Sequence, residues 1–161
     1  MIGSNASGNT IEVSNNQFAF VNGGIGANNT LELYTSGSSF NIDFTSLNQN
    51  VAKNFDYINL GVSSSGGNSV TLNVQDVFDM TNSGNSHTLQ ISQSGVSGSA
   101  VNVVTSNINA ALDFHFVSSA SGVAGQDQVY QGSYNGGTNN VTLVIHDQAT
   151  SGAGHIAVAT V

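Results

Sequence analysis

Nine carboxylates and four histidines carry most of the chemistry open to this 161-residue chain. Asp76 and Asp79 stand three apart, a spacing that puts two carboxylates on one face of a helical turn. Such a pair reads as a calcium corner or as the acidic cap of a short helix that follows a strand. Calcium takes roughly six to eight oxygens, so two carboxylates alone favour the cap. Calcium stays as the one candidate cofactor, with Asp76 and Asp79 as its candidate ligands. A glycosidase also needs two carboxylates, but the chain has no Trp to stack a sugar and no Arg to orient one. His146-Asp147 closes an apolar run, and His87, His115 and His155 lie elsewhere. No two histidines stand at i, i+2 or i, i+4, so a zinc site is not expected. His115, between Phe114 and Phe116, alternates to the opposite strand face and reads as a surface residue. Ser97 sits in Gly95-Val96-Ser97-Gly98, a turn and not a nucleophile elbow. Gly122-Val123-Ala124-Gly125 lacks the following Lys of a phosphate loop. Tyr130 and Tyr134 fall on one strand face and either offer a small surface for glycan or peptide or simply cover a sheet. No catalytic residue is expected.

The elements that must position these groups are strands. Ile11 and Val13 flank Glu12, Leu31 and Leu33 flank Glu32, and Phe40, Ile42 and Phe44 alternate with Asn41 and Asp43. The same period of two runs through Val70–Val74, Leu89–Ile91, Val101–Val103, Leu112–Phe116, Val141–Ile145 and Ile156–Val158, and it buries one face of each strand. Phe55–Leu60 carries apolar groups on both faces. Turn sequences such as Asn22-Gly23-Gly24, Ser65-Gly66-Gly67-Asn68 and Asn135-Gly136-Gly137 separate the runs. Three short helical stretches are conceivable: a turn or two over Leu47–Phe55, one turn over Gln75–Met80, and Asn107–Leu112. None shows a convincing pair of caps. Asn9-Thr10-Ile11-Glu12-Val13 and Asn29-Thr30-Leu31-Glu32-Leu33 are nearly the same words, and similar cores recur at irregular intervals. The expected fold is all-β: a parallel solenoid-like stack over the first two thirds, closed by antiparallel hairpin strands. An antiparallel sandwich is the alternative. One domain spans 1–161, with stacked strands over 1–110 and closing hairpins over 111–161.

Composition excludes whole classes. The chain has one Lys, no Arg, Cys, Pro or Trp, and a formal charge of −8. One cation cannot neutralise a run of phosphates, so no nucleic-acid partner is expected. No apolar run reaches the roughly 18 residues of a membrane span, so no membrane insertion is expected. Without Cys there are no disulfides or thiolate sites. Charged residues are only 6% of the chain and apolar ones 39%, the reverse of a chain disordered by charge.

From Phe55 onward the chain resembles a module near the C-termini of very large, repeat-rich bacterial surface proteins of the RTX adhesin type, secreted by type 1 machinery. The resemblance lies in Tyr57-Ile58-Asn59-Leu60, in the run Ser69–Met80, in Ser86–Ile91, in Val129–Tyr134 and in Val141–Asp147, spread over a stretch that is a little over half of the chain. The departures concern calcium. Ser92–Ser99 has no carboxylate where that family is usually Gly- and Asp-rich, and the Gly-Gly-x-Gly-x-Asp repeat is missing. The resemblance implies an extracellular, cell-surface location. Met1-Ile2-Gly3-Ser4 has no signal-peptide pattern, so export would use a C-terminal signal or the chain is part of something larger.

The expected function is therefore a non-catalytic extracellular structural protein: a subunit or module of a self-associating bacterial surface fibre, biofilm matrix or adhesin. Its partners would be copies of itself, with assembly through the final apolar strand at Ile156 and Val158. The alternative is a recognition module for a glycan, peptide or surface.

Overall fold

The computed structural model describes residues 1–34, 38–48, 50–61, 67–82, 86–93, 99–103, 115–116, 127–134, 139–147 and 156–160. Its strands are β1 (Thr10–Val13), β2 (Val21–Asn22), β3 (Thr30–Leu33), β4 (Asn41–Asp43), β5 (Ala52–Lys53), β6 (Tyr57–Asn59) and β7 (Ser69–Leu72). The helix α1 (Val74–Met80) follows, and then β8 (Thr88–Ser92), β9 (Ser99–Val103), β10 (His115–Phe116), β11 (Gln128–Tyr134), β12 (Asn139–Ile145) and β13 (Ile156–Thr160). They form three sheets, ordered β1-β3-β6-β8-β12-β11-β10, β13-β9-β7-β4 and β2-β5.

The chain winds as a stack of coils. One pass lays down β2, β3 and β4, one strand in each sheet, and the next lays down β5, β6 and β7 directly against them in parallel. On the third pass α1 stands where a third-face strand would, packed on β5, and the chain then adds β8 and β9. β12 and β13 extend the same two parallel sheets. Among the described residues only β11 runs against the other strands, so its pairings with β12 and β10 are antiparallel, at the end of the first sheet. The fold is thus an all-β parallel stack with a closing hairpin, not a sandwich. The parallel sheets run on past residue 110, because β12 and β13 belong to them, so 111–161 is more than a hairpin cap.

The period-two pattern does what it must in such a stack. Ile11, Leu31, Ile58, Ile91 and Ile145 stand in register across five strands, and all are buried. Ile42, Val70, Val101 and Val158 form the matching ladder in the second sheet, with Val158 at its half-covered end. Each fully buried aliphatic side chain contributes about 1.5–3 kcal/mol. The ladders are the core.

The corners are held by amides. Asn29 is fully buried; its Nδ2 donates to the carbonyls of Gly26 at 2.6 Å and Asn54 at 3.0 Å. Its Oδ1 accepts from the backbone and side-chain nitrogens of Asn9, one coil below. Its own backbone N–H donates to Asp56 Oδ2, one coil above, at 3.1 Å. Asn9, Asn29 and Asp56 therefore make a polar ladder beside the apolar one. A turn backbone with no sheet partner is satisfied this way without water.

Close packing of coils also demands glycine at one corner. Gly61 has φ +69, and a Cβ there would fall on the carbonyl oxygen of Leu33. Gly61→Ala is expected to destabilise the fold by about 2–4 kcal/mol, through the left-handed backbone and the displaced coil. Urea unfolding checks this, and a loss below about 1 kcal/mol would show that the coils separate easily there.

Three helical expectations resolve differently. The described residues of Leu47–Phe55 are not helical. A 3-10 turn at Phe44–Ser46, capped by the Asp43 side chain on the Thr45 N–H, precedes it, and Ala52 and Lys53 are β5. Asn50 and Asn54 take φ of 67° and 58°, which no helix tolerates. The turn expected at Gln75–Met80 is a seven-residue helix with a full capping box: Asn73 accepts from the Asp76 N–H, and Asp76 accepts from the Asn73 N–H. Asn107–Leu112 lies outside the described residues. No helix among the described residues is long and apolar enough to cross a membrane.

Candidate functional site

The capping box fixes Asp76 in the first turn of α1, between the third face and the stack. Its Oδ2 accepts the Asn73 N–H at 2.9 Å. Burial pushes its carboxyl up to about 7 against the pull of that hydrogen bond, and the nearby Asp79 and Asp43 push the same way. Asp79 is also raised by burial, while a hydrogen bond from Gln75 and the charge of Lys53 pull it down. Both carboxylates, with Asn48 and Asn50, line a cavity of about 10 Å³ beneath Phe44 and Met80, room for about one water. Two carboxylates, one already bonded to a backbone N–H, do not fit a calcium ion that takes roughly six to eight oxygens. Among the described residues no group of three or more His, Asp or Glu converges.

The histidines are dispersed. His146, just after β12, has Nδ1 3.0 Å from Asp127 Oδ1 and Nε2 3.0 Å from Gln90 Oε1. It clips β8 to β12 and to the residue that leads into β11. His87 lies before β8, its ring stacked on Phe78 with centroids 4.2 Å apart and an interplanar angle of 24°. Its Nδ1 lies 3.2 Å from Thr81 Oγ1. The Thr81 hydroxyl donates to the Val77 carbonyl at 2.6 Å, so it accepts at the other contact and Nδ1 carries the proton. Burial lowers the His87 pKa, against a hydrogen bond to the Phe78 backbone. His115 lies on β10, and His155 and Ser97 are outside the described residues.

Tyr130 is only 5% exposed and belongs to the core, its hydroxyl 3.4 Å from Gln128 Oε1 and its pKa raised by burial. It covers the sheet and offers no binding surface, because the β11–β12 hairpin folds it inward. Asp147 is buried and accepts the Ile156 N–H at 3.0 Å, anchoring the start of β13. Ile156 and Val158 themselves pack into their own chain through β9.

Sequence spacing missed a roomy polar cleft. It has a volume of about 440 Å³ and is lined by Asn50, Lys53, Asn54, Phe78, Asp79, Thr81, Asn82 and His87. These residues come from three separate places: β5 and its flanks, the end of α1, and the turn into β8. A second groove of about 590 Å³ runs along the open edge of β1, lined by Met1, Ile2 and Gly3 and by residues 9–12. No family model matches the chain, and neither the curated proteins nor the solved structures give a match.

Proposed function

We propose that this chain is a non-catalytic structural subunit or module of a self-associating bacterial surface fibre or matrix, outside the cell, of the kind its resemblance to RTX-type adhesins implies. One observation supports the reading above others. The four-stranded sheet β4-β7-β9-β13 is parallel throughout, and among the described residues it ends in an edge strand on each side, β4 and β13. An edge strand presents unpaired N–H and C=O groups to any strand that arrives, unless Pro, Lys or a bulge blocks it. The chain has no Pro, its one Lys is on β5, and the one charged residue on either edge strand is Asp43 at the end of β4, which meets the uncharged Ala159 in the sheet's own register. The outward residues of β13, Ala157 and Ala159, are small, exposed and uncharged. β13 of one copy can therefore continue the sheet onto β4 of the next in the same parallel sense. Contacts of this head-to-tail kind build filaments when the rotation does not close a ring.

Removing β13 is a poor test, because it also strips β9 of its partner. Ala157→Glu with Ala159→Glu charges the open edge, sets a like charge beside Asp43 of an arriving β4, and leaves the β9 side intact. In negative stain and sedimentation the full chain is expected to form oligomers or filaments, with calcium and with chelator alike. The double variant is expected to stay monomeric with unchanged circular dichroism. A full chain that stays monomeric at high concentration, or a double variant that still assembles, would overturn the proposal.

A further inference from the structure

We propose that the cleft between β5 and the end of α1 is a binding site for a neutral carbohydrate ring. This goes beyond self-association and does not depend on it. The volume of about 440 Å³ lies in the range of small-ligand sites. The charge in the cleft is balanced: the chain's one Lys, Lys53, acts on Asp79 across it. A cleft with one cation, in a chain of net charge −8, does not attract a phosphate or other anion. Asp79 offers acceptors, Lys53 offers donors, and the Asn50 and Asn54 amides offer both. After its bond to Asn22 Oδ1 at 2.9 Å, the Asn54 amide nitrogen keeps a second hydrogen. Hydroxyl groups, which donate and accept at the same oxygen, match that mixture better than any ion does.

The wall of the cleft supplies what a sugar's C–H face needs. Phe78 and His87 stack face to face, so Phe78 backs the His87 ring, and the outward face of the stack is what attracts polarised C–H groups. This surface replaces the Trp that the sequence lacks. The wall is also held in place. His87 is fixed by Phe78 on one side and by Thr81 on the other, and Thr81 is itself tied to the helix carbonyl of Val77.

The backbone around the cleft is unusual. Among the described residues five non-glycine positions have positive φ, and Asn50, Asn54, Ser86 and His87 are four of them. Two consecutive left-handed residues at Ser86 and His87 are a rare conformation, and such strain gathers at binding sites that it preorganises. Strain, a rigid aromatic wall and balanced polar groups meet at one place in the molecule.

The test is a titration of the ¹⁵N-labelled full-length chain carrying Ala157→Glu and Ala159→Glu, which keep it monomeric and lie outside the cleft, with glucose, galactose, N-acetylglucosamine and their β-linked disaccharides, followed by amide shifts. At least one is expected to shift Asn54, Asp79 and His87 with a Kd of about 10 mM or tighter, and to leave the β1 groove unmoved. His87→Ala and Asp79→Asn are each expected to weaken binding by about tenfold while thermal unfolding stays cooperative. Sulfate is the control and is expected to leave the cleft unmoved. The proposal fails if no sugar shifts these amides, if sulfate shifts them instead, or if both folded variants bind as the parent does. An unsubstituted chain that stays monomeric, with sugar still bound in the titration, would defeat the assembly reading and leave this one standing.

Discussion

Asn68→Ala is expected to lower the stability of the fold by about 3–6 kcal/mol, more than any other single change considered. Asn68 is 1% exposed and sits where three segments meet. Its Nδ2 donates to the carbonyl of Leu33 at the end of β3 (3.0 Å) and to that of Leu60 just past β6 (2.7 Å). Its Oδ1 accepts the N–H of Phe40, ahead of β4, at 2.8 Å. Alanine leaves two carbonyls and one N–H buried without these partners, and each such group costs about 1–3 kcal/mol. A domain of this size is stable by only about 5–15 kcal/mol, so the variant is expected to be largely unfolded in moderate urea where the parent is folded. Asn68→Asp is expected to be no better, since a carboxylate cannot donate to either carbonyl. Asn41→Ala, which removes only an exposed bond from Ser69, is the control and should cost less than about 1 kcal/mol. Equal urea midpoints for the two alanine variants would show that the corner amides do not hold the coils.

The protein is also expected to be more stable at pH 5 than at pH 8, with Asp76 as the main cause. The folded state raises the Asp76 carboxyl from 3.8 to about 7, chiefly by burial. A group whose folded pKa is raised binds its proton more tightly folded than unfolded. Its stabilising contribution is complete below about pH 4, declines as pH rises toward 7, and is gone above that. At about 1.4 kcal/mol per pKa unit, the full swing reaches about 4 kcal/mol. Asp79 and Glu32 are raised as well and act with the same sign, the latter with Glu12 in register beside it. His87 opposes them, because its lowered folded pKa removes stability as pH falls through 6.5. Asp76→Asn keeps a side-chain oxygen for the Asn73 N–H and removes the titration. Thermal unfolding from pH 4 to pH 9 is expected to show a falling Tm in the parent and a much flatter one in Asp76→Asn. Parallel curves would place the pH dependence elsewhere.

What the sequence made legible was the inside of the strands. Ile11, Leu31, Val70, Leu89 and Ile91 announce their buried face by alternation alone, since a period of two has only one reading in a half-buried strand. Pairing was harder to read, because the coils are unequal: 20 residues separate Ile11 from Leu31, 27 separate Leu31 from Ile58, and 33 separate Ile58 from Ile91. What repeats is the polar residue at the corner, Asn9, Asn29 and then Asp56, and a ladder that changes its amide for a carboxylate hides from a motif search. The helix cap was visible in principle, as Asn73-x-x-Asp76 ahead of an apolar run. The cleft was not. Its aromatic wall joins Phe78 of the helix to His87 beyond the next turn, and its two opposite charges, Lys53 and Asp79, come from β5 and α1. Only the winding of the chain brings β5 under α1.

That winding also decides how the molecule answers to force. β1 lies in the first coil and β13 in the last, so tension between them runs along the inter-strand hydrogen bonds and not across them. Bonds loaded in that direction break rung by rung, as a zip opens, instead of resisting together in shear. Each opened coil then releases its own length of slack, roughly 70 Å for the 20-residue coil and 110 Å for the 33-residue one. Built into a surface fibre, such a chain would lengthen in unequal steps under drag and shorten again as its rungs re-stacked.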